Sequence, residues 1–346
     1  MSAAAGRGGH GTARGAAEHP FAHYVRILGK GRHGARSLTF EEARAALGMV
    51  LTGDCRPEQV GAFLMLLRVK EETPEEVAGF VAAARDAIAA PPAGPAPTVD
   101  WPAYAGKRRQ LPWFLLAALL LARSGVPVLM HGIECAGDGR VYAPSSLARL
   151  GVAACATLGE ARAAIRRDGF AYLPLAAFCA PLARLIELRS LLGLRSPANT
   201  VARMLNPLQA PLQLVGIFHP NYRDLHQEAA LLLGQPRMAV LKGEGGEAER
   251  NPDGPCRVQS VSEGVKQDEE WPALLAGGRQ LKDPAMDAER LAALWRGEAG
   301  DEYGEAAVVG TAAIVLKALG RATSVAEAED AARRLWRERP RALRAA

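Results

Sequence analysis

The sequence predicts an α/β protein in which an N-terminal helical subdomain precedes a larger α/β domain with a mainly parallel central sheet. Three observations lead to this prediction. Apolar residues before position 89 recur at helical spacing, residues 89–98 form a Pro-rich linker, and the chain beyond it alternates short apolar runs with helical patterns. Short apolar runs bounded by Gly or Pro and separated by helices are typical of parallel strands covered on both faces.

The N-terminal block begins with a small, basic, low-complexity tail over residues 1–20, for which we predict disorder. A helix is predicted over 21–28, and a Gly-rich basic turn with Lys30 and Arg32 follows it. Thr39 and Glu42 form a capping box that opens a helix over 40–51. Two more helices are predicted over 56–69 and 73–88, and these short helices with tight connections indicate a small bundle.

Strands are predicted over 126–130, 212–218 and 238–241, and a β-rich segment over 253–280. Residues 177–205 are instead helical, and we expect them to pack back against the first helices. The predicted domains are therefore 21–90 with 177–205, as a helical dimerisation subdomain, and 91–176 with 206–346, as the α/β domain. The last predicted helices span 287–295, 304–319 and 324–337, and an Arg-rich tail follows them.

Composition is that of an ordinary globular protein, with 49% apolar and 23% charged residues among 346. A net charge of +5 favours a polyanionic partner. The five cysteines are widely separated and form no CxxC pair, so neither zinc nor a disulfide framework is expected. The longest apolar run, residues 114–122, is too short to span a bilayer. These features predict a cytoplasmic protein without membrane contact.

The segment 100–113, DWPAYAGKRRQLPW, carries three consecutive cations, Lys107, Arg108 and Arg109. Long flexible cations suit many phosphates in a row better than one cradled pyrophosphate. The alternative is a solvated basic loop that precedes a helix. Tyr104 is the best candidate to stack on a base, whereas we expect Trp101 and Trp113 to lie in the core.

Four stretches in order resemble the anthranilate phosphoribosyltransferase-like family, whose fold is shared with nucleoside phosphorylases of the second structural class. They are LTFEEARAALGMVLTGDCRPEQVGAFLMLLRVKEETPEEVAGF, VPVLMHG, LGLRSPANTVARMLNP and QLVGIFHPNY. The first is similar to the N-terminal helical signature of the family almost position by position. In the third, Arg195, Asn199, Asn206 and Pro207 fall where the family has Arg, Asn and Asn-Pro. The resemblance implies this glycosyltransferase family 3 fold and a homodimer formed through the helical subdomain.

The motifs that carry chemistry in that family are altered here. Its GTGGD turn, which binds the pyrophosphate of phosphoribosyl pyrophosphate, reads AYAGK and keeps only Gly106. Its Lys-His-Gly-Asn keeps His131 and Gly132, and we expect His131 to be a hydrogen-bonded core residue. Its magnesium-binding Asp-Glu pair reads Glu247-Ala248, with Glu244 and Glu249 as displaced acids. No catalytic residue, cofactor or metal is therefore assigned.

This pattern resembles the YbiB-type branch of the family, described as DNA-binding proteins that keep the transferase fold. The leading hypothesis is a homodimer that binds nucleic acid, DNA or RNA with single-stranded DNA favoured, through the backbone and without sequence preference. A second hypothesis is a divergent phosphoribosyltransferase that uses magnesium and an unknown acceptor, and a third is a scaffold that binds an anionic metabolite. The predicted nucleic-acid contacts are Lys107, Arg108, Arg109, Lys30, Arg32, Arg195, Arg203 and Tyr104.

Overall fold

The computed structural model describes residues 17–31, 33–90, 93–135, 139–276, 282–283 and 285–342. Arg32 and residues 1–16 of the predicted tail lie outside these ranges. The described helices are α1 (Ala22–Gly29), α2 (Phe40–Thr52), α3 (Pro57–Lys70), α4 (Pro74–Asp86), α5 (Phe114–Arg123), α6 (Ala143–Arg149), α7 (Leu158–Asp168), α8 (Ala180–Glu187), α9 (Arg189–Leu192), α10 (Ala198–Arg203), α11 (Tyr222–Leu232), α12 (Glu289–Arg296), α13 (Glu302–Ala318) and α14 (Val325–Glu338).

The strands form one sheet in the spatial order β3-β2-β1-β4-β5-β6-β7. The first five are parallel, and β6 and β7 form an antiparallel hairpin at one edge. Their bounds are β1 (Val99–Ala103), β2 (Val128–Gly132), β3 (Phe170–Pro174), β4 (Leu212–Ile217), β5 (Arg237–Lys242), β6 (Cys256–Ser262) and β7 (Val265–Trp271). The predicted class, a helical subdomain plus an α/β domain with a mainly parallel sheet, is confirmed.

The helical subdomain begins as the sequence predicts. Thr39 and Glu42 form the capping box of α2, and Thr73 and Glu76 form a second capping box on α4. Each box satisfies backbone N–H groups that a helix start would otherwise leave without partners. Helix α8 packs on α2 and α10 packs on α4, so the 177–205 region joins the first helices.

The core lies on both faces of the sheet because the strand side chains alternate between two apolar clusters. Leu214 and Leu241 face α5 and α13, whereas Val215 and Val240 face the helical subdomain and α11. This period of two is expected of a sheet covered on both sides. Trp101 and Trp113 are fully buried in the first cluster, as predicted.

Two strands were missed by the sequence prediction. Strand β1 occupies the centre of the sheet although it contains Asp100 and Pro102, which are rare in central strands. The Asp100 side chain accepts a hydrogen bond from Gln213 Nε2 on β4 at 3.0 Å, so a neighbouring strand satisfies it. Strand β3 is the other omission. Among the described helices, none combines the length and the apolar character needed to cross a bilayer.

Candidate functional site

The candidate site lies where the parallel strands end. Strands β1, β2, β4 and β5 run in the same direction, so the loops that follow them meet at one edge of the sheet. Strand β1 lies between β2, the next strand in the chain, and β4. The strand order reverses between β1 and β4, so this boundary is a topological switch point. In open α/β sheets, ligands bind in the crevice at such a point.

The turn after β1 keeps two backbone N–H groups pointed at one position, and Glu247 occupies it. Glu247 Oε1 accepts hydrogen bonds from the N–H groups of Ala105 at 2.7 Å and Gly106 at 2.6 Å. The side chain is buried, and no hydrogen-bond partner is seen for Oε2 among the described residues. Burial raises the pKa of Glu247, opposed by the N–H groups of Gly106 and Ala105 and by Arg203 and Lys107.

Glycines bring the two loops this close together. Gly106 has φ +66° and Gly245 has φ +71°, a region that L side chains rarely adopt. A Cβ atom on Gly245 would lie 2.4 Å from the carbonyl oxygen of Gly106, and one on Gly216 would lie 2.2 Å from the backbone nitrogen of Ala248. The contact between Glu247 and the turn therefore depends on backbone approaches that only glycine permits.

The structure contradicts the prediction that Lys107 contacts nucleic acid, because its side chain is only 1% exposed. Its Nζ donates to Glu249 Oε1 at 2.5 Å and lies 3.6 Å from Glu244 Oε2. Glu249 is also buried, and its Oε2 accepts from the backbone N–H of Phe114 at the start of α5. Lys107 is thus half of a buried ion pair and cannot contact nucleic acid in this conformation, whereas Arg108 and Arg109 are exposed.

The structure also contradicts the prediction that Tyr104 stacks on a base, because the residue is 1% exposed and its ring is not available for stacking. Its hydroxyl lies 2.7 Å from His131 Nδ1, and His131 Nε2 lies 3.2 Å from Asp100 Oδ1. Burial raises the pKa of Tyr104 well above its ordinary value, so the hydroxyl stays protonated. His131 is fully buried and hydrogen-bonded, as predicted.

Arginines surround the turn. Arg140 Nη1 donates to the carbonyl oxygens of Ala105 at 3.1 Å and Gly106 at 3.0 Å, and Arg195 Nη2 donates to the oxygen of Ala105 at 3.3 Å. Burial lowers the pKa of Arg203 to about 10, with a further decrease from Arg195. Burial also lowers the pKa of Arg195, and Arg140 lowers it further. Desolvated like charges this close together are stabilised by an anion.

A cavity of about 400 Å³ opens beside these arginines, between the helical subdomain and the sheet edge. Its lining includes Tyr142, Asn199, the cations Arg189 and Arg195, and the acids Glu134 and Glu187. Tyr104 closes one wall. The cavity therefore combines cations, acids, an amide and aromatic surface beside the residues that follow β1 and β2.

The magnesium that the family fold implies does not fit these residues. Glu247 already accepts two backbone N–H bonds, and Ala248 supplies no second carboxylate beside it. Glu249 is bonded to Lys107 and to the N–H of Phe114. A bridging diphosphate needs a metal held by carboxylate oxygens that remain available, and the acids on this loop, apart from partly exposed Glu244, are engaged.

The predicted contact residues do not form one cluster. Arg195 and Arg203 lie near each other beside the turn after β1, while Lys30 is exposed in the turn after α1, on the helical subdomain. The sequence prediction missed Arg140 and the pairing of Lys107 with Glu249. The sequence did contain a signal for this pair. Lys107 stands where the family's turn ends in an acid, and Glu249 is an additional acid elsewhere in the chain.

Comparison with known proteins identifies the family. A family model described as glycosyl transferase family, helical bundle domain, matches residues 24–88, and one described as glycosyl transferase family, a/b domain, matches residues 114–338. The second match covers more than half of the chain. The protein therefore belongs to this family, glycosyl transferase family 3, and to its anthranilate phosphoribosyltransferase-like group.

Individual relatives have different names. The chain is 31% identical over 309 residues to anthranilate phosphoribosyltransferase of Methylocella silvestris, covering 87% of each. It is 29% identical over 275 residues to the uncharacterized protein YbiB of Escherichia coli, covering 77% of this chain and 84% of YbiB.

Solved structures agree on the fold. The crystal structure of anthranilate phosphoribosyltransferase from Thermus thermophilus superposes with a TM-score of 0.77 at 26% identity, covering 90% of this chain and 94% of that one. The Saccharomyces cerevisiae enzyme in complex with PRPP and Mg gives a TM-score of 0.73 at 16% identity, covering 92% of this chain and 96% of that one. At that identity the second similarity supports the fold alone.

Proposed function

We propose that this protein binds nucleic acid through its phosphate backbone, without base-sequence preference, and does not transfer phosphoribosyl groups. One observation supports the absence of transfer: the Glu247 carboxylate accepts the Ala105 and Gly106 N–H bonds that the family's glycine-rich turn offers to pyrophosphate. A negatively charged side chain at this position excludes a second anion by repulsion and by occupancy. The departing pyrophosphate would lose both backbone donors and its metal.

The arginines support binding of phosphate in a different way. Arg195 and Arg203 are partly buried, and both have lowered pKa values because of burial and of neighbouring arginines. Backbone phosphates of a nucleic acid satisfy such cations without entering the turn that Glu247 fills. Exposed Arg108 and Arg109 extend the positive surface from the same turn. Contacts of this type position a strand but carry no base information.

The test is fluorescence anisotropy with two unrelated single-stranded DNA oligonucleotides across a salt series. For about six phosphate contacts, the log-log salt slope should be near −4. Replacing both Arg195 and Arg203 by Gln removes about two contacts and should reduce the slope by about 1.4 for both oligonucleotides. The matched control replaces Arg257 and Arg296, which pair with surface acids, and loses the same net charge. An affinity independent of salt, or a site variant that binds like the control variant, contradicts the proposal.

A second candidate function is divergent phosphoribosyl transfer to an unknown acceptor. It is favoured by the 31% identity to a named anthranilate phosphoribosyltransferase over 87% of each chain. The retained Arg195 and Asn199 beside the cavity agree with it. Incubation with anthranilate, phosphoribosyl pyrophosphate and magnesium separates the two functions. We expect no product, and product formation that Glu247→Ala abolishes would establish the second function instead.

A further inference from the structure

An aromatic pair is exposed at the same edge of the sheet. Phe218 and His219 directly follow β4, whose six residues are all buried, yet Phe218 is 52% exposed. The two ring centroids are 4.9 Å apart and the rings are inclined by 87°. Because the rings are perpendicular, they do not stack face to face on each other, and the exposed part of Phe218 remains open to a planar ligand.

Cations lie next to this aromatic pair. A Cβ atom on Gly246 would be 3.4 Å from the backbone nitrogen of Phe218 and 3.5 Å from Arg203 Nη2, so the Phe218 backbone and the Arg203 guanidinium flank one glycine. Lys242 ends β5 opposite Ile217 in the sheet register and is exposed. The end of β4 thus combines an exposed phenyl ring with two cations on neighbouring elements.

We propose that Phe218, supported by His219, is a stacking platform for an unpaired base of single-stranded nucleic acid. Arg203 and Lys242 bind the phosphates that flank this base. The inference rests on the proposed function and adds to it the residue that contacts the base and a physical reason for a preference for single strands. Every base presents a planar face, so stacking on an aromatic ring is tolerant of sequence. Bases within a duplex are already stacked on each other and cannot use the platform without being unpaired.

Phe218→Leu tests the platform because it keeps an apolar side chain at an exposed position but removes the ring. Because the stacking contact is lost, affinity for an oligo-dT strand should fall by about tenfold. Affinity for an abasic strand of equal length, and for a duplex, should not change. Leu232→Ala, at a side chain of similar exposure on α11, is the control and should bind every probe like wild type.

Phe218→Trp provides a second readout, because it keeps an aromatic ring. It should retain wild-type affinity for oligo-dT, and its tryptophan emission should change with oligo-dT but not with the abasic strand. The platform is refuted if Phe218→Leu binds oligo-dT like wild type, or loses affinity equally for the abasic strand. If wild type binds none of the probes, the proposed nucleic-acid function fails instead, so the two failures are distinguishable.

Discussion

Glu247 Oε1 lies 2.6 Å from the backbone nitrogen of Gly106, a residue 141 positions earlier in the chain. This contact joins the loop after β5 to the turn after β1, across β4. The buried Glu247 carboxylate accepts hydrogen bonds from two backbone N–H groups of the turn. The free energy of unfolding therefore depends on whether this carboxylate is ionised. Measurements of stability against pH therefore report on the contact.

Glu247→Gln should become increasingly stabilising, relative to wild type, as pH rises above the ordinary Glu value of 4.5. Folding raises the pKa of Glu247, so between the unfolded and folded pKa values the folded state binds more protons than the unfolded state. The wild-type protein therefore loses stability as pH rises through the folded pKa. The glutamine carbonyl can still accept the two N–H bonds and never ionises. Urea unfolding of both proteins at several pH values between 4 and 8 measures the difference. A difference that does not vary with pH would contradict the buried, ionisable contact.

Lys107→Met should destabilise the protein by about 3–5 kcal/mol, because it leaves the buried Glu249 carboxylate without its cation. Lys107→Met with Glu249→Gln should recover most of this loss, since both charges are gone and the glutamine carbonyl can still accept the N–H of Phe114. Denaturant unfolding of wild type, both single variants and the double variant completes a thermodynamic cycle. Additive effects would mean that the two side chains are not energetically coupled.

Gly245→Ala should cost roughly 1–3 kcal/mol, because alanine is strained at a positive φ and its Cβ would lie 2.4 Å from the carbonyl oxygen of Gly106. Gly254→Ala is the matched control, since its added Cβ would have no atom of the described residues within 4 Å apart from its own and its chain neighbours' atoms. Its effect should stay within about 0.5 kcal/mol. Thermal unfolding of both variants checks the expectation. Equal stabilities would show that the two loops can separate at no cost.

The family resemblance leads us to expect a homodimer formed through the helical subdomain. Val69, near the C-terminal end of α3, is 83% exposed and provides an apolar surface position of this subdomain at which the dimer can be tested. Light scattering at micromolar concentration should give the dimer mass for wild type and a lower mass for Val69→Glu. Val265→Glu, at an exposed residue of β7, should not change the mass. A monomeric wild type refutes the dimer.

Local signals in the sequence were sufficient for much of the fold. The capping residue Thr39 and the proline at position 74 mark helix starts without any tertiary information. Strands β4 and β5 are mainly apolar runs, and the sequence prediction placed both within one residue at each end. Strand β1 was missed because Asp100 is satisfied by Gln213 and His131, which lie on other strands and far away in sequence.

The site was harder to predict than the fold for the same reason. A run of cations such as Lys107 to Arg109 is usually solvated, and nothing within that run shows that its first member is buried. Burial of Lys107 depends on Glu249, 142 residues away. Arg195 and Arg203 lie near each other because Arg195 precedes and Arg203 ends one short helix, α10, whose spacing is local.

The Lys107–Glu249 pair also constrains how this chain can evolve. A descendant that restored an acid at position 107 alone would place two carboxylates together in the interior, and one that lost Glu249 alone would leave a lysine without its closest partner. Either first step destabilises the folded chain, and both steps together leave a buried carboxylate at position 107 without a cation. The effect of a change at either position on stability therefore depends on the residue at the other, which is epistasis between two positions 142 residues apart.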